Sequence, residues 1–183
     1  MKDLQQLVID CKRRDSRAQR ELYDRYKARL MGVCRRYASS REEAQDILQD
    51  VFVKIFTKIE QLDSSERLEG WMVRIAINTA VNYYRSNKRN LFEDIENVYT
   101  DSGDYEVILS KITDDYLIKL INELPDGCRL VFNLFVVEGY NHMEIAGMLR
   151  ITESTSRSQL VYAKKILKEK LNSVGVMYYE RYA

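Results

Sequence analysis

The sequence predicts an all-α protein: two small helical domains joined by an acidic flexible linker, the second containing a helix-turn-helix. Three observations carry that expectation. Seven glycines and one proline in 183 residues are few for a sheet-rich chain with its many turns, whereas the helix formers Leu, Ala, Glu, Lys, Gln and Arg dominate. Apolar residues recur at three- and four-residue steps through most of the chain. One stretch, residues 91–110, breaks that rhythm and carries six acids (Glu93, Asp94, Glu96, Asp101, Asp104, Glu106) and no base.

Bulk composition narrows the function. With 45% hydrophobic and 31% charged residues, a core is affordable but not large. A net charge of +1 makes the whole chain no general polyanion binder, so the distribution of charge has to decide. Cys11, Cys34 and Cys128 are odd in number and far apart, which suits buried thiols in a reducing cytosol better than a disulfide framework or a metal cluster. The opening residues have no long apolar run and read as no signal peptide. No segment approaches the roughly 20 apolar residues of a membrane span. A soluble, cytoplasmic protein is expected.

Helical periodicity runs from about residue 4 to 89. In "SSREEAQDILQDVFVKIFTKIEQL" (39–62), Ser40 followed by Glu43 is a capping-box pattern. Ala44, Ile47, Leu48, Val51, Ile55 and Ile59 form the inward stripe. Asp46, Gln49, Asp50 and Val53 line another face, with Phe52 and Val53 as apolar surface beside the acids. Such a stripe fits either a solvated face or a partner surface.

After a polar loop, "QLDSSERLEG", a helix follows in "EGWMVRIAINTAVNYYRSNKR" (69–89). Its core arc is Leu68, Met72, Ile75, Ala76, Thr79 and Tyr83. Trp71, Arg74, Asn78, Asn82, Arg85 and Arg89 share a second arc of about 80°. Cations suit phosphates, amides suit base edges and the indole could stack, so nucleic-acid binding stands beside an ordinary polar face. Trp71 by itself reads as a core residue near the helix start.

The acidic stretch then separates the halves, giving domains at 1–91 and 113–175, a linker at 92–112 and a tail at 176–183. The second half opens with Leu117, Leu120, Ile121 and Leu124 on one face, stopped by Pro125. "GYNHMEIAGMLRITESTSRSQLVYAKKILKEKL" (139–171) reads as two helices with a tight break. Ile145, Ala146 and Leu149 face inward on the first, and Leu160, Ala163, Leu167 and Leu171 on the second, which begins near Glu153. The outward face holds Ser154, Arg157, Ser158, Val161, Lys164, Lys165 and Lys168. A short helix, a tight turn and a longer basic helix is the helix-turn-helix pattern. The single histidine, His142, has no second histidine or paired cysteines to complete a metal site and reads as a local polar contact. With no Gly-rich phosphate loop, nucleophile motif or metal-ligand spacing, the chain reads as a binder and not an enzyme, with no cofactor and no small-molecule substrate expected.

Taken together these motifs resemble the extracytoplasmic-function sigma factors of the sigma-70 family, over almost the whole chain. "REEAQDILQDVFVKIFTKI" resembles that family's clamp-binding helix, "GWMVRIAINTAVNYYRSNKR" its minus-ten reading helix, and "LPDGCRLVFNLFVVEGYNHMEIAGMLRITESTSRSQLVYAKKIL" its minus-thirty-five domain. The resemblance implies a factor that binds core RNA polymerase and directs promoter-specific initiation. It implies that Asp46, Gln49, Asp50, Phe52 and Val53 meet the β′ clamp helices. Asp63, Ser64, Ser65, Arg74, Asn78, Asn82, Tyr83, Arg85 and Arg89 would recognise and open the minus-ten element, holding a base out of the stack. Ser154, Thr155, Arg157, Ser158, Gln159, Val161, Lys164 and Lys168 would lie on or near the helix entering the major groove at minus thirty-five. A contact with the β-subunit flap and an anti-sigma factor, able to hold the protein at the inner membrane, are further implied partners.

Two positions depart from the family pattern. Arg150 stands where glycine is common in the turn, which implies another turn conformation or a cation near phosphate. Ser156 stands where an apolar residue is common, weakening the inward face. Two rivals remain at this level. A helix-turn-helix operator regulator explains the second half equally well but leaves the Asp46/Asp50 and Arg74/Asn78/Asn82/Arg85 stripes without work. A protein-binding adaptor is disfavoured by the basic helix.

Overall fold

The computed structural model describes residues 3–87 and 114–173. The acidic linker, Arg89, the side chain of Leu117 and the tail lie outside them. The chain divides into two compact units, Met1–Asn87 and Lys88–Ala183. Helices carry the architecture, and among the described residues there is no strand.

The first unit is built on α1 (Leu4–Lys12), α2 (Ser16–Tyr37), α3 (Arg41–Lys58) and α4 (Leu68–Asn87). α1 ends in a tight reversal in which Arg14 takes a left-handed conformation (φ 61°), and Asp15 then caps α2 by accepting from the Ala18 amide at 2.8 Å. α2, α3 and α4 pack on one another in all three pairings, and α1 closes against α2 and the α3–α4 connection. Lys12 reaches that connection and donates to the Leu62 carbonyl at 2.7 Å. All six apolar residues assigned to the inward face of α3 are buried. Ser40 accepts from the Glu43 amide at 3.1 Å as the capping pattern requires, but the Glu43 carboxylate accepts from Ser39 N at 2.8 Å. That places its return bond one residue earlier than a capping box would.

In the second unit, α5 (Asp114–Asn122) leads through Pro125 into α6 (Asp126–Phe132). Leu120, Ile121 and Leu124 are buried, as their spacing implies. Pro125 not only follows one helix but stands as the N-cap residue of the next, where its fixed φ and missing N–H do no harm. The fully buried Arg129 staples this corner. It donates to the carbonyls of Asn122 (3.1 Å) and Leu124 (3.0 Å) and pairs with the Asp126 carboxylate. A carbonyl that α5 would leave unsatisfied at its end, and one in the turn after it, are thereby used. α6 continues as a π-helical segment, Asn133–Val137, and Gly139 at φ 77° turns the chain.

The helix-turn-helix follows as α7 (His142–Leu149) and α8 (Glu153–Ser173). Asn141 and Glu144 make a full capping box at the start of α7. α8 packs on α6, α7 and α5. Its inward residues Leu160, Ala163, Leu167 and Leu171 are buried, whereas Ala146 on α7 is only half-buried. The turn between them uses Arg150 in the left-handed conformation (φ 57°, ψ 48°), the one a glycine would supply. The substitution changes the residue, not the turn, and leaves an exposed cation beside the start of α8.

Candidate functional site

Three polar surfaces emerge from this packing. On α3, Asp46, Gln49, Asp50 and Val53 all point to solvent, Val53 at 59% exposure. Phe52 does not join them. Its ring is 4% exposed and lies 4.6 Å from Tyr23 on α2 and 5.9 Å from Phe56. The expectation of Phe52 as open apolar surface is therefore corrected, because α2 covers that side of α3. Tyr23, 40% exposed with the Lys27 ammonium 5.5 Å from its ring centre, is the aromatic that faces out there.

On α4, Arg74, Asn78 and Asn82 are exposed, and Trp71 and Arg85 are half-buried on the same arc. Arg85 donates to the Asn82 side-chain oxygen at 3.3 Å. The core arc differs from the expected one at its far end. Tyr84 is fully buried while Tyr83, assigned inward, is half-exposed beside it with their rings edge to face at 5.6 Å. Ile75 is likewise only half-buried. The Tyr84 hydroxyl donates to Glu43 Oε2 at 2.8 Å and accepts from Ser39 N at 3.0 Å, tying the end of α4 to the start of α3. Sequence reasoning missed this tie, although Ala76, Ala80 and Tyr84 stand four residues apart and all are buried. In the preceding loop Asp63 is exposed, Ser64 accepts from the Glu66 amide at 3.3 Å, and Ser65 begins a 3-10 turn, Ser65–Arg67.

On α8, Ser154, Arg157 and Lys168 are exposed, and Thr155, Ser158, Val161 and Lys164 are half-buried. Thr152 caps the helix by accepting from the Thr155 amide at 3.0 Å. Arg157 pairs with Glu153 one turn back at 3.1 Å, an exposed pair worth about 0–1 kcal/mol and easily exchanged for another anion. Ser158 donates its hydroxyl to the Thr155 carbonyl at 3.0 Å. Burial lowers the Lys164 pKa. Gln159, expected among the outward residues, is 3% exposed, and its Oε1 accepts from Cys128 Sγ at 2.9 Å. It faces α6 and not a groove. His142 makes the local polar contact its isolation implied: its Nδ1 lies 2.9 Å from the hydroxyl of the fully buried Ser156. No group of His, Cys, Asp or Glu among the described residues could hold a metal, and no described helix is long and apolar enough to cross a membrane.

A helical unit followed by a unit whose outward basic helix is set in a helix-turn-helix defines a DNA-binding transcription protein. Comparison with known proteins narrows the class. The family model for sigma-70 region 2 matches residues 22–90, and the one for sigma-70 region 4 matches residues 114–167. The chain is 29% identical to the ECF RNA polymerase sigma-E factor of Haemophilus influenzae, over 91% of its own length and 94% of that protein. It is 25% identical to the ECF RNA polymerase sigma factor SigW of Bacillus subtilis, over 91% and 96%. A solved structure of CnrH in complex with the cytosolic domain of CnrY aligns over 93% of this chain and 99% of that one, at 20% identity and a TM-score of 0.48. The chain belongs to the extracytoplasmic-function group of the sigma-70 family. It is an alternative sigma factor that directs transcription initiation.

Proposed function

We propose that the three surfaces divide the work of initiation between core polymerase, the minus-ten element and the minus-thirty-five element. The observation that carries this reading is the pair of solvent-facing stripes in the first unit. α3 and α4 each bury one face against their neighbours, and each still presents a separate aligned polar stripe. An operator regulator would have no task for either.

Asp46, Gln49, Asp50 and Val53 form the polymerase surface, against the β′ clamp helices. Exposed carboxylates beside an exposed apolar side chain suit a protein partner with complementary cations and a small apolar contact. Phe52 contributes from beneath by fixing α3 on α2. Arg74, Asn78 and Asn82 face the minus-ten strand, with Tyr83, Arg85 and the Asp63–Ser65 loop beside them. Amides and guanidinium there can pair with base edges and phosphates of a strand already lifted from the duplex. Arg157 and Ser154, near the start of α8, are placed to reach minus-thirty-five base edges, whereas Lys164 and Lys168 further along serve phosphates. The second unit meets the β-subunit flap, and an anti-sigma factor holds the protein silent. The protein acts in the cytoplasm as a binder, without catalysis of its own.

A purified chain added to core polymerase on a promoter library tests the reading. Initiation at a defined start site, abolished by base changes at both minus ten and minus thirty-five, is the expected result. DNA binding without polymerase and no gain of initiation with it would return the operator regulator.

A further inference from the structure

The inward face of the reading helix is not wholly apolar. Ser156 (0% exposed) and Gln159 (3%) stand among Leu160, Ala163, Leu167 and Leu171, and both lie in the first third of α8, where the proposed reading side chains are. Each makes one polar contact, part-buried for Ser156 and buried for Gln159, and each to a different supporting helix. Ser156 meets His142 Nδ1 on α7 at 2.9 Å, and Gln159 meets Cys128 Sγ on α6 at 2.9 Å. The partners are themselves held. The His142 ring stacks on Phe135 at 4.6 Å and 23°, and Cys128 is 1% exposed.

We propose that Ser156 and Gln159 are positioning residues for promoter discrimination: their contacts with His142 and Cys128 fix the rotation of α8 and so decide which of its side chains face the major groove. Apolar contact alone sets rotation loosely, because it is non-directional and a helix can roll on a smooth leucine seam. A hydrogen bond weakens steeply away from its preferred angle. Two directional contacts, the Cys128 S–H being the weaker donor, tie the roll to two different helices. Each residue step turns a helix by about 100°, so a roll of a fraction of that step would carry Arg157 and Ser154 away from the base edges. In some proteins buried polar groups of this kind add little stability and fix register instead.

This inference rests on the proposed minus-thirty-five role of α8, and its test separates the two. Initiation is measured with core polymerase on promoters randomised at minus thirty-five, for the parent, Ser156→Ala/Gln159→Met, each single variant, and Arg157→Ala. A mismatched base pair ordinarily costs about 5- to 150-fold in affinity. The folded double variant should lose at least about threefold of that discrimination while its thermal midpoint stays within a few degrees of the parent's, since swaps of similar volume are tolerated. A folded double variant with the parent's base profile overturns the proposal. So does loss of fold in the double and both single variants, because the contacts would then serve stability alone. A parent without minus-thirty-five preference, or an Arg157→Ala variant that keeps the parent profile, strikes the reading of α8 itself and takes this inference with it.

Discussion

Removing one buried hydroxyl, in Tyr84→Phe, tests how α4 is held. The ring is fully buried and stays in place, so no cavity forms and the change is confined to polar contacts. The hydroxyl donates to Glu43 Oε2 at 2.8 Å, accepts from Ser39 N at 3.0 Å and lies 3.2 Å from Ser39 Oγ. A hydrogen bond to a charged group contributes about 1.5–3 kcal/mol, and a neutral one about 0.5–1.5. These do not add in full. Ser39 N retains its 2.8 Å bond to the same carboxylate, and both partners can reach water, since Ser39 is exposed and Glu43 half-buried. The net loss should therefore fall below the simple sum of about 2–4.5 kcal/mol, at about 1–1.5 kcal/mol. For a unit of this size that is about 4–12 °C in thermal midpoint. Hydrogen exchange read by mass spectrometry on the full chain should show faster exchange in the last turns of α4 and the first turn of α3, with the second unit unchanged. A double-mutant cycle with Glu43→Gln should give coupling, because the two groups touch. A midpoint within a degree of the parent and unaltered exchange would refute the reasoning and show that water replaces this tie without loss.

Arg129→Ala should cost about 3–5 kcal/mol, because it leaves the carbonyls of Asn122 and Leu124 and the Asp126 carboxylate without their buried partner; urea unfolding followed in the second unit checks it. His142 is the single histidine, and burial, then the charge of Arg157, hold its pKa below the ordinary value, with Glu153 opposing and Lys164 adding the smallest effect. The unfolded chain then binds more protons in acid, so this contribution to the second unit's stability should be fully present above about pH 6.5 and decline as pH falls below it. His142→Gln should flatten that slope, and a slope unchanged in the variant would assign it elsewhere. Asp50→Lys should weaken core-polymerase binding while shifting stability by only about 0.5 kcal/mol, as surface changes usually do; an unaltered affinity in a pull-down titration would remove Asp50 from the interface. Arg157→Ala should change the preferred minus-thirty-five bases, worth about 1–3 kcal/mol of discrimination, whereas Lys164→Ala should weaken all promoters alike; a library selection distinguishes the two.

The sequence by itself determined the all-helical class, the starts of α3 and α8 and most of the inward residues it assigned. Apolar steps of three and four placed five of the six core residues of α3, Ile59 just past its end, and the four apolar core residues Leu160, Ala163, Leu167 and Leu171 of α8, because a helix packed on one side buries one arc and periodicity reads that arc directly. Local capping chemistry was equally legible in Ser40, though its return bond fell one residue away. The solvent-facing stripes followed by elimination, and Asp46, Gln49, Asp50, Arg74, Asn78 and Asn82 are where the pattern put them. Tertiary structure decided the margins of those arcs. Phe52 is covered because α2 lies against α3, Tyr84 and not Tyr83 turns inward because α4 packs on both α2 and α3, and Gln159 is buried because α6 closes over that side of α8. Periodicity gives the direction in which a side chain leaves its helix. Whether that direction meets solvent or a second neighbour depends on packing between residues distant in the chain, and so does the partner that lets Ser156, Gln159 and Arg129 be polar inside.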